Sequence, residues 1–88
     1  MDVDSVQARI EHESADLRLR YPHIRKCDSA LVHWTDAEGS HYSLRLDIGW
    51  PDHQSLISGP AKDDAGAAIA AAFATARQRV HEAAWASG

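Results

Sequence analysis

The stretch Tyr42-Ser43-Leu44-Arg45-Leu46-Asp47-Ile48-Gly49-Trp50 alternates apolar and polar residues without a break. Tyr42, Leu44, Leu46, Ile48 and Trp50 fall on one side, and Ser43, Arg45, Asp47 and Gly49 on the other. Successive strand side chains point to opposite faces, so this pattern predicts a strand buried on one face only. Such a strand needs an apolar layer on its inner side, and the flanking sequence supplies it.

On the N-terminal side, Ile24 to Trp34 is a second extended segment. Ala30, Val32 and Trp34 share one face, and Cys27, Ser29, Leu31 and His33 share the other. Thr35 to Ser40 (TDAEGS) reads as the polar connection between the two strands, with Gly39 free to take a positive φ angle. On the C-terminal side, Pro51-Asp52 marks a turn, Gln54 to Ser58 reads as a third strand, and Gly59-Pro60 closes the sheet.

A helix is expected at each end of the sheet. Val3, Val6, Ile10 and Leu17 recur at roughly helical spacing after a capping-box pattern of Asp4 and Gln7, and Tyr21-Pro22 ends the helix. Near the C-terminus, Ala65, Ile69, Ala72, Phe73, Ala76, Val80 and Ala83 or Ala84 form an apolar stripe behind Asp63 or Asp64 as the cap. The further alanines favour helix and allow close packing against a partner surface. The expected fold is α+β: a two-layer α-β-β-β-α domain with two helices packed on one face of a three-stranded antiparallel sheet, over residues 1–88.

Length and composition agree with one small domain. A chain of 88 residues buries roughly 63% of its unfolded surface, enough for a single core. Hydrophobic residues at 44% and charged residues at 25% are those of an ordinary globular protein. No apolar run reaches the roughly 18 residues a membrane helix requires, and the N-terminus has no basic start followed by an apolar stretch. Cys27 is the single cysteine, which excludes an internal disulfide and fits a cytoplasmic location.

The net charge of −4 is unevenly placed. Residues 1–26 carry five acids and five bases, residues 60–88 carry three of each, and residues 27–59 carry five acids against Arg45 alone. The deficit therefore sits on the predicted sheet. Basic clusters remain at Arg18, Arg20, Arg25 and Lys26 and at Arg77 and Arg79.

The chemistry-bearing residue types form no catalytic pattern. His12, His23, His33, His41, His53 and His81 lack the i, i+4 spacing of a zinc peptidase, and Cys27 has no cysteine partner. His33 and His41 could meet across the hairpin as a weak surface pair. Cys27 reads as a small buried side chain rather than a nucleophile, and Gly59, Gly66 and Gly88 do not build a phosphate loop. The expectation is a protein that is not an enzyme, with no cofactor and no metal.

The order helix–strand–strand–strand–helix is that of double-stranded RNA-binding domains. Where that family carries a lysine cluster before its last helix, this chain has Ala61-Lys62-Asp63-Asp64, whose two carboxylates repel phosphate. Three other stretches, Leu19 to Cys27, Tyr42 to Ile48 and Asp64 to Val80, resemble the ribosome hibernation promoting factor family, also called ribosome-associated inhibitor A or sigma-54 modulation proteins. That resemblance covers most of Leu19 to Val80 and implies a β-α-β-β-β-α fold. It also implies a translation modulator that binds the small ribosomal subunit during stress, through rRNA contacts at Arg18, Arg20, Arg25, Lys26, Arg45, Arg77 and Arg79. The family's first strand would precede the first helix, where only Met1 to Asp4 remain, so the 24–34 strand is expected to be an exposed edge. The alternative is a homodimerising or protein-interaction module of the same fold, paired through that edge strand or the alanine-rich helix, that has lost RNA binding.

Overall fold

A computed structural model describes the backbone of residues 3–87 and the side chains of residues 5–82. The elements are α1 (Val3–Arg20), β1 (Lys26–Asp36), β2 (Gly39–Gly49), β3 (Gln54–Ser58) and α2 (Ala65–Ser87). The strands form one antiparallel sheet in the order β1-β2-β3, and the helices cover one of its faces. This is the α+β arrangement expected from the alternation in β2.

The hairpin is longer than its sequence suggests. Strand β1 runs on to Asp36 and β2 begins at Gly39, so the expected six-residue connection shrinks to a turn at Ala37-Glu38. Gly39 takes φ 121° there, a conformation that glycine alone adopts without strain. Asp36 accepts a hydrogen bond from the Glu38 N–H at 2.8 Å, so the polar residues lock the turn instead of forming a loop. At the other end β1 starts at Lys26, because the carbonyl of Tyr21 accepts from the Ile24 N–H and shapes a bend after Pro22.

The core lies between β2, β3 and the helices. Leu44, Leu46 and Ile48 of β2 and Ile57 of β3 meet Ile69, Ala72, Phe73, Ala76 and Val80 of α2 and Ile10 and Leu17 of α1. The expected stripes therefore do face the core wherever side chains are described. Val3, Asp4, Ala83 and Ala84 lie outside the described side chains. Gln7, the partner expected for Asp4, donates to Glu11 at 3.2 Å. At the start of α2, Asp64 is the cap: its Oδ2 accepts from the Ala67 N–H at 2.9 Å.

Two features fix how α2 sits on the sheet. Ala68, Ala72 and Ala76 are fully buried, so the small-residue side of α2 is spent on its own sheet, while Ala67, Ala70 and Ala74 remain exposed. Gly59 follows β3 directly beneath them. A Cβ there would lie 2.6 Å from the Ala72 Cβ and 2.9 Å from its Cα. The Gly59 N–H also donates to the Leu44 carbonyl at 2.9 Å, so the backbone cannot retreat without losing a bond. Gly59→Ala is therefore expected to destabilise the fold by about 1–3 kcal/mol, the usual range for overpacking. Urea unfolding measures this; an unchanged midpoint would show that the helix can shift freely.

Candidate nucleic-acid interface

The seven basic residues expected to contact RNA are spread over several surfaces. Arg18 and Arg20 lie in the last turn of α1, Arg25 precedes β1, and Lys26 opens it. Arg45 stands on the solvent face of β2, while Arg77 and Arg79 project from α2. Three of the seven are engaged in ion pairs. Arg20 meets Asp16 at 3.2 Å, one helical turn back. Lys26 meets Asp28 at 3.2 Å and Asp47 at 3.8 Å. The hydrogen bond Lys26 donates to Asp28 and the charges of both acids hold the Lys26 ammonium above its ordinary value, so it stays charged but locally neutralised.

Arg77 has a structural task. Its Nη1 donates to Glu13 Oε2 at 3.0 Å, which ties α2 to α1 across the top of the core. Arg18, Arg25, Arg45 and Arg79 make no ion pair with any described residue, and all four are exposed. Arg18 lines an open groove of about 480 Å³ between α1 and β1, opposite Cys27 and Ser29. Arg79 borders a smaller recess with Trp50, Leu56 and Ile57. Of the seven expected contacts, these four arginines are the ones left for an external anion; Arg9 and Lys62, outside that set, are also exposed and make no ion pair with a described residue.

Register sets the remaining polar groups. His33 lies opposite Tyr42, and Trp34 lies opposite His41. Opposed residues share a face and neighbours along a strand do not, so His33 and His41 stand on opposite faces of the hairpin. The histidine pair that the hairpin allowed is therefore not formed. Each ring stacks on an aromatic neighbour instead, His33 on Tyr42 at 4.4 Å and His41 on Trp34 at 5.5 Å. A third stack joins Trp50 and His53 at 5.6 Å, and Trp50 Nε1 donates to Ser55.

His41 turns toward the hairpin tip. Its Nε2 lies 2.8 Å from Asp36 Oδ1, and Asp36, Glu38 and His41 place one ligand atom each within 4.8 Å of one another. Asp36 already serves both His41 and the Glu38 N–H, so the cluster closes the turn from within. Sequence reading missed this trio because it depends on a two-residue turn in place of a six-residue loop.

Cys27 is half-buried under α1, with its Sγ 3.8 Å from Ser14 Oγ. Burial pushes the thiol above its ordinary value, which suits a packed side chain rather than a nucleophile. The 61–64 stretch is engaged within the fold. Lys62 exchanges backbone hydrogen bonds with Tyr42, and Asp64 occupies the donors at the start of α2. A phosphate would have to displace a carboxylate there. Among the described residues no helix is long and apolar enough to cross a membrane. No family model, curated protein or solved structure matches the chain.

The hydrogen bond with His41, and next the Glu38 N–H, hold the Asp36 carboxyl below its ordinary value of 3.8. A depressed folded pKa means that this contribution to the hairpin is complete above pH 3.8 and is lost as pH falls through the folded midpoint. An NMR titration of Asp36 is expected to show the low midpoint, rising toward 3.8 in His41→Ala. A midpoint indifferent to His41 would break the link between the two residues.

Proposed function

We propose that this chain is a non-catalytic, ribosome-associated translation modulator that contacts RNA of the small subunit during stress. The observation that carries the reading is that four of the seven expected contacts are exposed and unpaired: Arg18, Arg25, Arg45 and Arg79 make no ion pair with a described residue. They stand on a helix–strand–strand–strand–helix order. From its first helix onward that order agrees with the fold implied by the resemblance of Leu19 to Val80 to hibernation factors. Arg20, Lys26 and Arg77 play a lesser part, because phosphate must compete with carboxylates already at 3.0 to 3.2 Å.

Such binding is electrostatic and weak. Residues 27–59 carry five acids against Arg45 alone, so long-range attraction comes from the helix and loop arginines rather than from the sheet. The two helices and the hairpin act as a frame that spaces these cations, and no chemical step is involved.

Cosedimentation with purified small subunits tests the reading. About four phosphate contacts give a salt slope of roughly −3 to −4, so binding should weaken about a hundredfold between about 50 and 200 mM salt. Arg18→Glu, Arg25→Glu and Arg79→Glu should each reduce it further at low salt. Arg77→Glu should chiefly lower stability, since it sets two acids against each other at the α1–α2 contact. Failure to cosediment even at the lowest salt overturns the proposal and assigns the fold to protein contacts.

A further inference from the structure

The two edges of the sheet differ sharply. Strand β3 is five residues long and runs into Gly59-Pro60, whereas β1 presents eleven residues with no proline or glycine and one basic residue, Lys26, at its end. Long unprotected edges are templates for another strand. Its backbone groups are also free in a regular pattern. Tyr42 gives its N–H and carbonyl to Lys62, and the Leu44 carbonyl accepts from Gly59, so both residues bond away from β1. An antiparallel ladder alternates sides, so the partners of Tyr42 and Leu44 on β1, His33 and Leu31, direct their N–H and C=O groups to the open side. By the same alternation so do Cys27, Ser29 and Thr35.

We propose that this edge pairs antiparallel with β1 of a second copy of the chain, about a two-fold axis at Leu31. Three independent features select that register. It overlaps all eleven residues and joins odd-numbered positions, whose backbone groups are the free ones, giving about ten new backbone hydrogen bonds. It sets Leu31 against Leu31 on the helix side and Ala30 against Val32 on the solvent side, so the apolar middle of the strand meets itself. It also sets Lys26 against Asp36 at both ends, an opposite-charge pair on one face. Moving the axis to Val32 would oppose Asp28 with Asp36, and moving it to Ala30 would leave Asp36 beyond the overlap.

An axis perpendicular to the sheet keeps all four helices on one side. The product is a six-stranded sheet in the order β3-β2-β1-β1-β2-β3. The groove between α1 and β1, lined by Gln7, Glu11, Arg18 and Ser29, then opens over the seam between the copies. The pairing is independent of RNA contact, because it uses backbone groups and the ends of β1 rather than the unpaired arginines.

Sedimentation equilibrium of the full chain up to about 1 mM reads the association directly. The expected result is a mass rising from 9.6 kDa toward twice that value with little dependence on salt. Ser29→Pro removes a free-edge N–H without touching the β1–β2 ladder, so it should return the monomer with an unchanged circular dichroism spectrum. Register is tested separately with two Cys27→Ser chains, one carrying Ala30→Cys and the other Val32→Cys. Facing residues of a non-hydrogen-bonded pair lie about 4.5 Å apart at Cα, within disulfide range, so the mixture should cross-link under mild oxidation. Either chain alone places its cysteines on a diagonal of about 7 Å and should cross-link poorly. A monomer at every concentration overturns the proposal. So does a dimer that fails to cross-link between positions 30 and 32, whether or not Ser29→Pro folds.

Discussion

The last helix rests directly on the backbone of the sheet. Gly59 has no room for a Cβ, and Ala68, Ala72 and Ala76 present nothing larger than a methyl group at the contact. That closeness lets Leu44, Leu46, Ile48 and Ile57 reach Ile69, Phe73 and Val80 without a gap, and tight interiors of this kind tolerate little change in volume. It also commits α2 to β2 and β3. Helix α1 is left to close the remaining side of the core through Ile10 and Leu17, which it does beside α2 rather than squarely over β1. The open groove along β1 and the free edge beneath it both follow from where α2 sits.

Charge is distributed by the same geometry. Residues too polar for the core fall on the uncovered face, where Lys26, Asp28 and Asp47 neutralise one another and Gln54 donates to Asp47. Exposed pairs of this kind add little stability, but they remove cations from the pool available to an anionic ligand. Arg77 is withdrawn as well, since it joins the helices through Glu13. Of the basic residues singled out in the sequence, those still unpaired belong to helix surfaces, a loop and one strand position. This is a dispersed set rather than a compact pocket.

The aromatic residues at the hairpin show how cross-strand register decides a site. His33 and His41 look like neighbours across the turn, but they fall on opposite faces because His41 is opposed by Trp34 and His33 by Tyr42. His33 stacks on Tyr42, and His41 joins Trp34 and Asp36 on the other face. Trp34 is 39% exposed there, and Leu56 is 74% exposed on the same face of β3. The solvent face of the sheet is consequently mixed, with apolar side chains between charged ones.

Sequence alone determined the element order, the inner face of β2 and the apolar stripe of α2. Each of these rests on a local period, two residues for a strand and between three and four for a helix, and a local period is legible without knowing what it packs against. The tertiary structure decided the rest. It closed the hairpin at Ala37-Glu38, separated the two histidines, and sorted the arginines into those paired with Asp16, Glu13 or the sheet acids and those left free. The pairs that join separate elements depend on distances between residues far apart in the chain, such as Glu13 and Arg77, which are 64 positions apart. No periodicity encodes such a distance; it exists only once the helices have docked on the sheet.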